Sequence, residues 1–227
     1  MSDLLADIPK NAEGVLIFGG TFDPPHLAHR DLPEQVREHL GMGWWLVYIP
    51  AARSPHKESG PIASNTERLE MLRAMTDGLT HTVVSDVEIS RHTEKEPSYT
   101  VDTIETFRAE RPKLTMRLLI GADQARAFHR WHRAQAVIEL AEPVVMLRPP
   151  NEDAAVLLAA MQPYWNEYEL AEWSTRIVTV DLQDTSATTV RKILQEQGAR
   201  SPELDTVLPH PVREIIEKKG LYRPTLS

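Results

Sequence analysis

Residues 19–29 read GGTFDPPHLAH, and this stretch decides the fold class of the chain. It follows a short apolar run, residues 15–18, and precedes a stretch with helical spacing, residues 32–40. This order predicts a strand, a glycine-rich turn and the start of a helix. Glycine allows a sharp turn and a close approach of the backbone to a ligand. Since a helix start offers unpaired N–H groups and a positive dipole end, the junction is suited to phosphate.

Two histidines, His26 and His29, lie where this helix begins. Residues three apart share one face of a helix, so both imidazoles can reach the same polyphosphate. The alternatives are a metal site and an ordinary surface pair. However, the chain has no cysteine, and no third ligand follows at a familiar metal spacing. The pattern therefore favours a site for a nucleotide triphosphate.

The composition is that of a folded domain and argues against several classes of protein. The 227 residues are 41% hydrophobic and 26% charged, with a net charge of −8. Nucleic-acid binding requires a basic face, so no nucleic-acid partner is expected. Residues 1–11 lack a signal-peptide pattern, and no apolar run is long enough to span a membrane. Because the absence of cysteine fits a reducing compartment, we expect a cytoplasmic protein with no membrane partner.

Six apolar, β-branched runs alternate with helical patterns along the chain. The runs cover residues 15–18, 45–49, 82–87, 116–120, 143–147 and 177–180. The helical patterns cover residues 32–40, 65–76, 101–110, 134–140, 190–197 and 212–219. Such alternation indicates an α/β protein with a parallel sheet and right-handed crossovers. Ligands of these sheets bind at the carboxyl ends of the strands, where the first motif lies.

Two segments fall outside this alternation. Residues 1–13 are interpreted as a frayed N-terminal extension. Residues 151–173 carry a helical pattern interrupted by Pro163, and we interpret them as a helical insertion at the surface. An oligomer contact is the alternative for this segment, so a homo-oligomer remains open.

Polar residues mark four further segments, each placed after a predicted strand or at a helix start. They are SPHK at 54–57, PSYTVDT at 97–103, GAD at 121–123 and SATTVR at 186–191. Taken alone, an ordinary polar loop is the better explanation of SPHK, and helix capping is the better explanation of PSYTVDT and SATTVR. For Asp123, capping and a role in binding explain the residue equally well. In a functional interpretation, SPHK and SATTVR hold phosphate, and Asp123 accepts hydrogen bonds from a ribose. Trp131 is interpreted either as a core residue or as a platform for a ligand.

Taken in order, these segments resemble the nicotinate-nucleotide adenylyltransferase family of the nucleotidyltransferase superfamily. The matching stretches are GGTFDPPHLAH, SPHK, ERLEML, EISRHTEKEPSYTVDT, LLIGAD, RWHRAQAVIELAEPVVMLRP, SATTVR and GLYR. They extend over nearly the whole chain. The resemblance implies a Rossmann-like doubly wound parallel sheet in a single domain, residues 1–227. It also implies a reaction in which ATP and nicotinate mononucleotide give deamido-NAD and pyrophosphate in the presence of Mg²⁺.

The same resemblance implies roles for individual residues. Those implied to be catalytic are His26, His29 and Arg191. Those implied to bind ATP are Gly19, Gly20, Thr21, Phe22, His26, His29, Asp123, Ser186, Thr188 and Arg191. Those implied to bind nicotinate mononucleotide are Thr21, Lys57, Tyr99, Thr100 and Trp131, with the Trp131 ring stacked on the pyridine. No protein metal site is implied, because the substrate phosphates hold most of the Mg²⁺ coordination.

Three other functions remain open from the sequence. Another adenylyltransferase of the superfamily, acting on phosphopantetheine or nicotinamide mononucleotide, would share the first and last motifs. A relative of the class I aminoacyl-tRNA synthetases would share the histidines, but the sequence has no KMSKS-like loop. A non-catalytic nucleotide sensor would bind ATP without releasing pyrophosphate, and the presence of His26, His29 and Arg191 argues against it.

Overall fold

The computed structural model describes residues 5–52, 60–91, 98–148, 153–181 and 185–223. Its strands are β1 (Gly14–Gly20), β2 (Trp44–Pro50), β3 (Thr82–Val84), β4 (Thr115–Gly121), β5 (Glu142–Leu147) and β6 (Ile177–Thr179). Its helices are α1 (Leu27–Leu40), α2 (Asn65–Thr76), α3 (Val87–Arg91), α4 (Thr100–Glu110), α5 (Ala122–Ala127), α6 (Ala134–Leu140), α7 (Ala154–Met161), α8 (Glu167–Thr175), α9 (Ala187–Gln197) and α10 (His210–Lys219). Short 3₁₀ helices cover Phe128–Arg130 and Pro202–Thr206.

The strands form a sheet in the order β3-β2-β1-β4-β5-β6. Strand β1 pairs with β4 in parallel, with Gly14 opposite Thr115, and β4 pairs with β5 in parallel, with Arg117 opposite Glu142. The strand order reverses between β1 and β4, which is the switch point where doubly wound sheets bind their ligands. The topology confirms the predicted Rossmann-like doubly wound α/β fold.

Each predicted strand and helical pattern matches an observed element, most bounds agree to within about two residues, and α5 matches no predicted pattern. Residues 85–87 are predicted as strand, but β3 ends at Val84 and α3 begins at Val87. A short apolar run does not distinguish a buried strand from a buried helical turn. Helices α1 and α9 begin five and three residues before their apolar spacing does, at the histidine pair and at SATTVR, where the sequence placed the two helix starts.

The segment interpreted as a helical insertion, residues 151–173, is helical in its described part. Its helices α7 and α8 lie in the connection from β5 to β6, and Pro163 falls between them. Helix α7 packs against α5. Because Leu157, Met161 and Trp173 are at most 1% exposed, the segment also contributes to the buried core.

The N-terminal segment corrects one expectation. Leu5 and Ile8 are each 1% exposed, and the guanidinium of Arg111 donates to their carbonyl oxygens at 2.9 and 3.0 Å. The N–H of Glu13 donates to the carbonyl of Gly43 at 3.0 Å. The interpretation as a frayed extension is therefore wrong for residues 5–13, because two apolar side chains gain free energy from burial there.

The described residues divide into two compact units. The first unit lies within residues 1–19, 32–47 and 99–183, and the second within residues 20–31, 48–98 and 184–227. Leu118 and Phe128 belong to the buried core of the first, and Met71 and Ile216 to that of the second. A single domain over residues 1–227 stays a prediction. None of the helices in the described ranges is long and apolar enough to cross a membrane.

Candidate active site

The loop between β1 and α1 turns at Phe22. This residue has a φ of 50°, in the left-handed region, and its side chain is 1% exposed. A Cβ on Gly20 would lie 2.8 Å from the Phe22 ring, so glycine is required there by space. Neither Gly19 nor Gly20 has a positive φ, which corrects the expectation that the glycines make the turn. A Cβ on Gly19 would meet no atom of the protein within 4 Å, so the strand end stays open to a ligand.

The two histidines of the motif lie against each other. His26 immediately precedes α1, His29 lies in its first turn, and their ring centroids are 3.6 Å apart. The main-chain N–H of His26 donates to Nδ1 of His29 at 3.3 Å. This bond assigns the Nε2–H tautomer to neutral His29. His26 is 4% exposed, whereas His29 is half-buried. The predicted pair is thus brought together, and neutral His29 carries its proton on Nε2.

A proline inside α1 bears on the position of His29. Pro33 has no N–H, so it cannot donate to the carbonyl four residues earlier, which is that of His29. The hydroxyl of Tyr48 donates to this carbonyl instead, at 2.8 Å. Tyr48 is fully buried, and Phe22 packs edge-on against both the Tyr48 and His29 rings. Tyr48 therefore replaces the missing helical hydrogen bond in the turn that carries His29.

We expect Tyr48→Phe to lower the melting temperature, because the buried carbonyl of His29 loses its partner at a cost of about 1–3 kcal/mol. Pro33→Ala supplies a helical N–H to the same carbonyl. Its effect on stability should therefore be more favourable in the Tyr48→Phe background than in the wild type. Calorimetric unfolding of the four proteins measures this coupling. Equal effects of Pro33→Ala in both backgrounds would contradict the explanation.

Helix α9 brings the late motif to the same loop. The guanidinium of Arg191 donates through Nη1 to the carbonyl of Asp23 at 2.6 Å and through Nη2 to Oγ1 of Thr188 at 3.3 Å. Asp23 lies three residues before His26. All of these residues belong to the second unit. We call His26, His29, Thr188 and Arg191 the phosphate cluster, because they combine imidazole, hydroxyl and guanidinium donors around one loop.

Helix capping explains some of the predicted site residues and leaves others unexplained. Oγ of Ser186 accepts from an N–H three residues later at 3.1 Å, so Ser186 caps α9. The N-cap of α5 is Gly121, which leaves Asp123 exposed in the first turn. The N-cap of α4 is Tyr99, whose side chain makes no capping bond, and Thr100 follows it. The capping alternative thus holds for Ser186 and is wrong for Asp123 and Thr100.

The aromatic residues expected at the pyridine nucleotide lie in the first unit. Tyr99 stacks on His132 with centroids 4.2 Å apart, and Trp131 stacks on Phe128 with centroids 4.8 Å apart. Phe128 is fully buried, whereas Trp131 and Tyr99 are half-buried. Trp131 is therefore backed by the core and partly exposed, as a stacking platform requires. We call Tyr99, Phe128, Trp131 and His132 the aromatic cluster.

Three buried polar residues hold the motif loop, and sequence reasoning gave none of them a role. The carboxylate of Asp23 accepts from the N–H groups of residues 62–63 at 2.8 and 3.1 Å and from the hydroxyl of Tyr222 at 2.6 Å. Arg68, fully buried, donates to the carbonyl of Thr21 at 2.6 Å. Arg68 is in helical register with the buried Met71 and Leu72 of α2. The sequence does contain a signal for Arg68, because this charged residue lies on the otherwise apolar face of α2.

Two predictions concern Lys57 and metal binding. Lys57 lies outside the described residues, together with the rest of SPHK. Within the described ranges, no three or more His, Cys, Asp or Glu side chains group so as to hold a metal ion. The carboxylate of Asp23 is engaged by three hydrogen-bond donors of the protein.

The doubly wound sheet carries two imidazoles after its first strand, and the guanidinium of Arg191 on α9 is bonded to the same loop, an arrangement that fits a nucleotidyltransferase. In agreement, the sequence matches the model of the cytidylyltransferase-like family over residues 17–193, so the chain belongs to this family. A relative from Exiguobacterium sibiricum, named "Probable nicotinate-nucleotide adenylyltransferase", is 33% identical over 91% of this chain and 97% of its own. A relative of the same name from Acidithiobacillus ferrooxidans is 32% identical over 93% and 96% of the two chains. Within the family, the chain groups with the nicotinate-nucleotide adenylyltransferases, as its motifs predict.

Solved structures agree with the fold. The chain is similar to Plasmodium falciparum nicotinic acid mononucleotide adenylyltransferase complexed with NaAD, with a TM-score of 0.65 and 15% identity. The match covers 92% of this chain and 97% of that one. The complex of the Plasmodium enzyme with APC gives a TM-score of 0.64 at 14% identity. At this level of identity the likeness shows the fold, and it confirms the Rossmann-like prediction.

Proposed function

We propose that the chain transfers the adenylyl group of ATP to nicotinate mononucleotide, giving deamido-NAD and pyrophosphate in NAD biosynthesis. The phosphate cluster carries this proposal, because Arg191 is bonded to the same loop that presents His26 and His29. The names of the relatives support the choice of acceptor.

The reaction requires alignment more than acid–base chemistry. The phosphate of nicotinate mononucleotide is largely dianionic at neutral pH, because its second pKa is about 6. One of its oxygens attacks the α-phosphorus of ATP in line. A new P–O bond forms, the bond from the α-phosphorus to the α,β-bridging oxygen breaks, and pyrophosphate leaves with that electron pair. Since the nucleophile carries no proton, the protein needs neither a covalent nucleophile nor a strong general base.

The phosphate cluster supplies donors where negative charge grows. His26 and His29 donate to phosphate oxygens, and the planar guanidinium of Arg191 binds the β- and γ-phosphates together with Thr188. Donors fixed in advance lower the barrier because they need little reorganisation as the charge develops toward pyrophosphate. The bond of Arg191 to Asp23 and the stacking of the two imidazoles provide this fixation.

Several residue assignments remain predictions for mutagenesis. For ATP they are Gly19, Gly20, Thr21, Phe22, Asp123 and Ser186, and for nicotinate mononucleotide they are Thr21, Lys57, Tyr99, Thr100 and Trp131. Mg²⁺ enters as MgATP, held by the phosphates of the substrate, and contributes charge neutralisation there. No step is assigned to an ion bound by the protein alone.

The aromatic cluster supports a pyridine ring as the acceptor base. Trp131 offers a flat surface of the size of the ring, backed by Phe128 at 4.8 Å. The start of α4, at Tyr99 and Thr100, presents main-chain N–H donors and the positive end of the helix dipole. A carboxylate on the ring would accept from such donors.

The proposal is tested by incubating the protein with MgATP and nicotinate mononucleotide, measuring pyrophosphate and identifying the second product by mass. Deamido-NAD and pyrophosphate should form in equal amounts. A panel that includes phosphopantetheine and nicotinamide mononucleotide separates the related adenylyltransferases. Binding of ATP without release of pyrophosphate for any acceptor would indicate a nucleotide sensor and refute the proposal.

We expect kcat/KM for nicotinate mononucleotide to exceed that for nicotinamide mononucleotide by at least about tenfold. The amide brings an NH₂ donor that would face the N–H donors of α4, and a mismatch of this kind costs about 1–3 kcal/mol. Steady-state kinetics on the two nucleotides give the ratio. Equal efficiency would refute the carboxylate pocket but leave adenylyl transfer standing.

Trp131→Ala provides the matched control for that preference. Stacking holds either pyridine ring, so the variant should raise KM for both nucleotides and leave their ratio within about twofold of the wild type. A large change in the ratio would mean that Trp131 itself discriminates between acid and amide.

A further inference from the structure

The stretch GLYR, residues 220–223, lies in the second unit and contacts the motif loop through Tyr222. Helix α10 packs against α2, and Nζ of Lys219 lies 2.5 Å from Oε2 of Glu70. Gly220 ends α10 in the left-handed conformation, with a φ of 64°. Tyr222 follows with a φ of 56° and is 4% exposed. A bulky residue with positive φ is strained, so the surrounding contacts must hold Tyr222 in place.

The phenol of Tyr222 is directed at a buried carboxylate. Its hydroxyl donates to Oδ1 of Asp23 at 2.6 Å, and the N–H of Ala63 donates to the same oxygen at 3.1 Å. Asp23 is 4% exposed. Burial and the hydrogen bond to Asp23 raise the pKa of the Tyr222 phenol far above its ordinary value, so the phenol stays protonated and remains a donor.

Asp23 also connects this buried contact to the phosphate cluster. Its side chain accepts from Tyr222, while its main-chain carbonyl accepts from Nη1 of Arg191 at 2.6 Å. One residue, Asp23, thus joins the phenol of Tyr222 to the guanidinium of Arg191. Arg68 also holds this loop, through its bond to the carbonyl of Thr21 at 2.6 Å.

We infer that Tyr222 is a positioning residue for adenylyl transfer, acting through Asp23 on the guanidinium of Arg191. The inference rests on the proposed function, in which Arg191 binds the ATP phosphates. It gives GLYR a place in the reaction, because Tyr222 fixes, through Asp23, the arginine that faces the leaving pyrophosphate.

Tyr222→Phe tests the inference, since it removes the hydroxyl and leaves the ring to fill the core. We expect kcat/KM for ATP to fall about five- to tenfold, as for the loss of one buried hydrogen bond. Kinetics are run well below the melting temperature of the variant. Tyr168→Phe is the matched control, because Tyr168 is 86% exposed, and it should leave kcat/KM within about twofold.

A double-variant cycle with Arg191→Ala separates positioning from a general structural effect. If Tyr222 acts through Arg191, Tyr222→Phe should change kcat/KM by less than about twofold once Arg191 is alanine. The same five- to tenfold loss in both backgrounds would overturn the inference. So would a Tyr222→Phe protein with wild-type kinetics.

A binding measurement keeps this test independent of the proposed reaction. The α,β-methylene analogue of ATP, with Mg²⁺, is titrated calorimetrically into the wild type, the two single variants and the double variant. Tyr222→Phe should weaken binding with Arg191 present and leave it within about twofold with Arg191→Ala. Additive losses of affinity would again overturn the inference. A wild-type protein that binds the analogue but forms no deamido-NAD would refute the proposed function alone.

Discussion

Replacing His26 with alanine is expected to lower kcat about 100- to 1,000-fold while ATP still binds, because a donor aimed at developing charge acts mainly in the transition state. The ring of His26 is stacked on His29 at 3.6 Å, and its main-chain N–H sets the tautomer of His29 through Nδ1. Because alanine keeps this main-chain N–H, the variant loses the imidazole of His26 and its stacking on His29 but keeps the bond to Nδ1 of His29. Pre-steady-state release of pyrophosphate and calorimetric titration of the ATP analogue separate the effect on turnover from that on binding.

Two companion variants sharpen this prediction. His29→Ala should lower kcat to a similar extent, and the double variant should lose little more than either single one, because groups that act as a unit are not additive. His39→Ala is the control, since this exposed histidine lies at the far end of the same helix. It should leave kcat within about twofold. Near-native turnover of His26→Ala would remove the histidine pair from the mechanism.

The sequence predicted the sheet and the members of the phosphate cluster because local patterns mark both. Alternating apolar runs and helical stretches indicate a parallel sheet without knowledge of distant contacts. His26 and His29 are three residues apart, and Arg191 follows hydroxyl residues at a helix start. Since the carboxyl ends of parallel strands meet at one edge of the sheet, motifs that follow those strands are expected at that edge.

The supports of the cluster could not be predicted in this way, because they connect residues far apart in the chain. The bond from Tyr222 to Asp23 spans 199 positions, and that from Arg68 to Thr21 spans 47. No local periodicity reports such contacts. The turn at Phe22 escaped prediction for a different reason: a positive φ favours glycine, so the turn was assigned to Gly19 and Gly20. In the structure Phe22 adopts the positive φ, and Gly20 leaves room for the Phe22 ring.

Arg191→Lys is the second change expected to have a large effect. The guanidinium has five N–H groups in a fixed fork, and its bonds to Asp23 and Thr188 orient it. Lysine carries the same charge on a compact ammonium and cannot hold the Asp23 carbonyl and two phosphate oxygens in one plane. We therefore expect kcat/KM for ATP to fall about 10- to 100-fold, or about 1.4–2.8 kcal/mol of transition-state stabilisation.

The melting temperature of Arg191→Lys decides whether the loss of kcat/KM reflects catalysis or folding. Arg191 is half-buried at the start of α9, where it adds little to the apolar core, so its replacement should shift the melting temperature by only about 2 °C. Lys192→Ala is the control on the same helix, because its side chain is 72% exposed. Its kinetics should stay within about twofold of the wild type. If Arg191→Lys instead lowered the melting temperature strongly and left kcat/KM intact, Arg191 would be a structural link between α9 and the motif loop, and the charge at the leaving pyrophosphate would need another source.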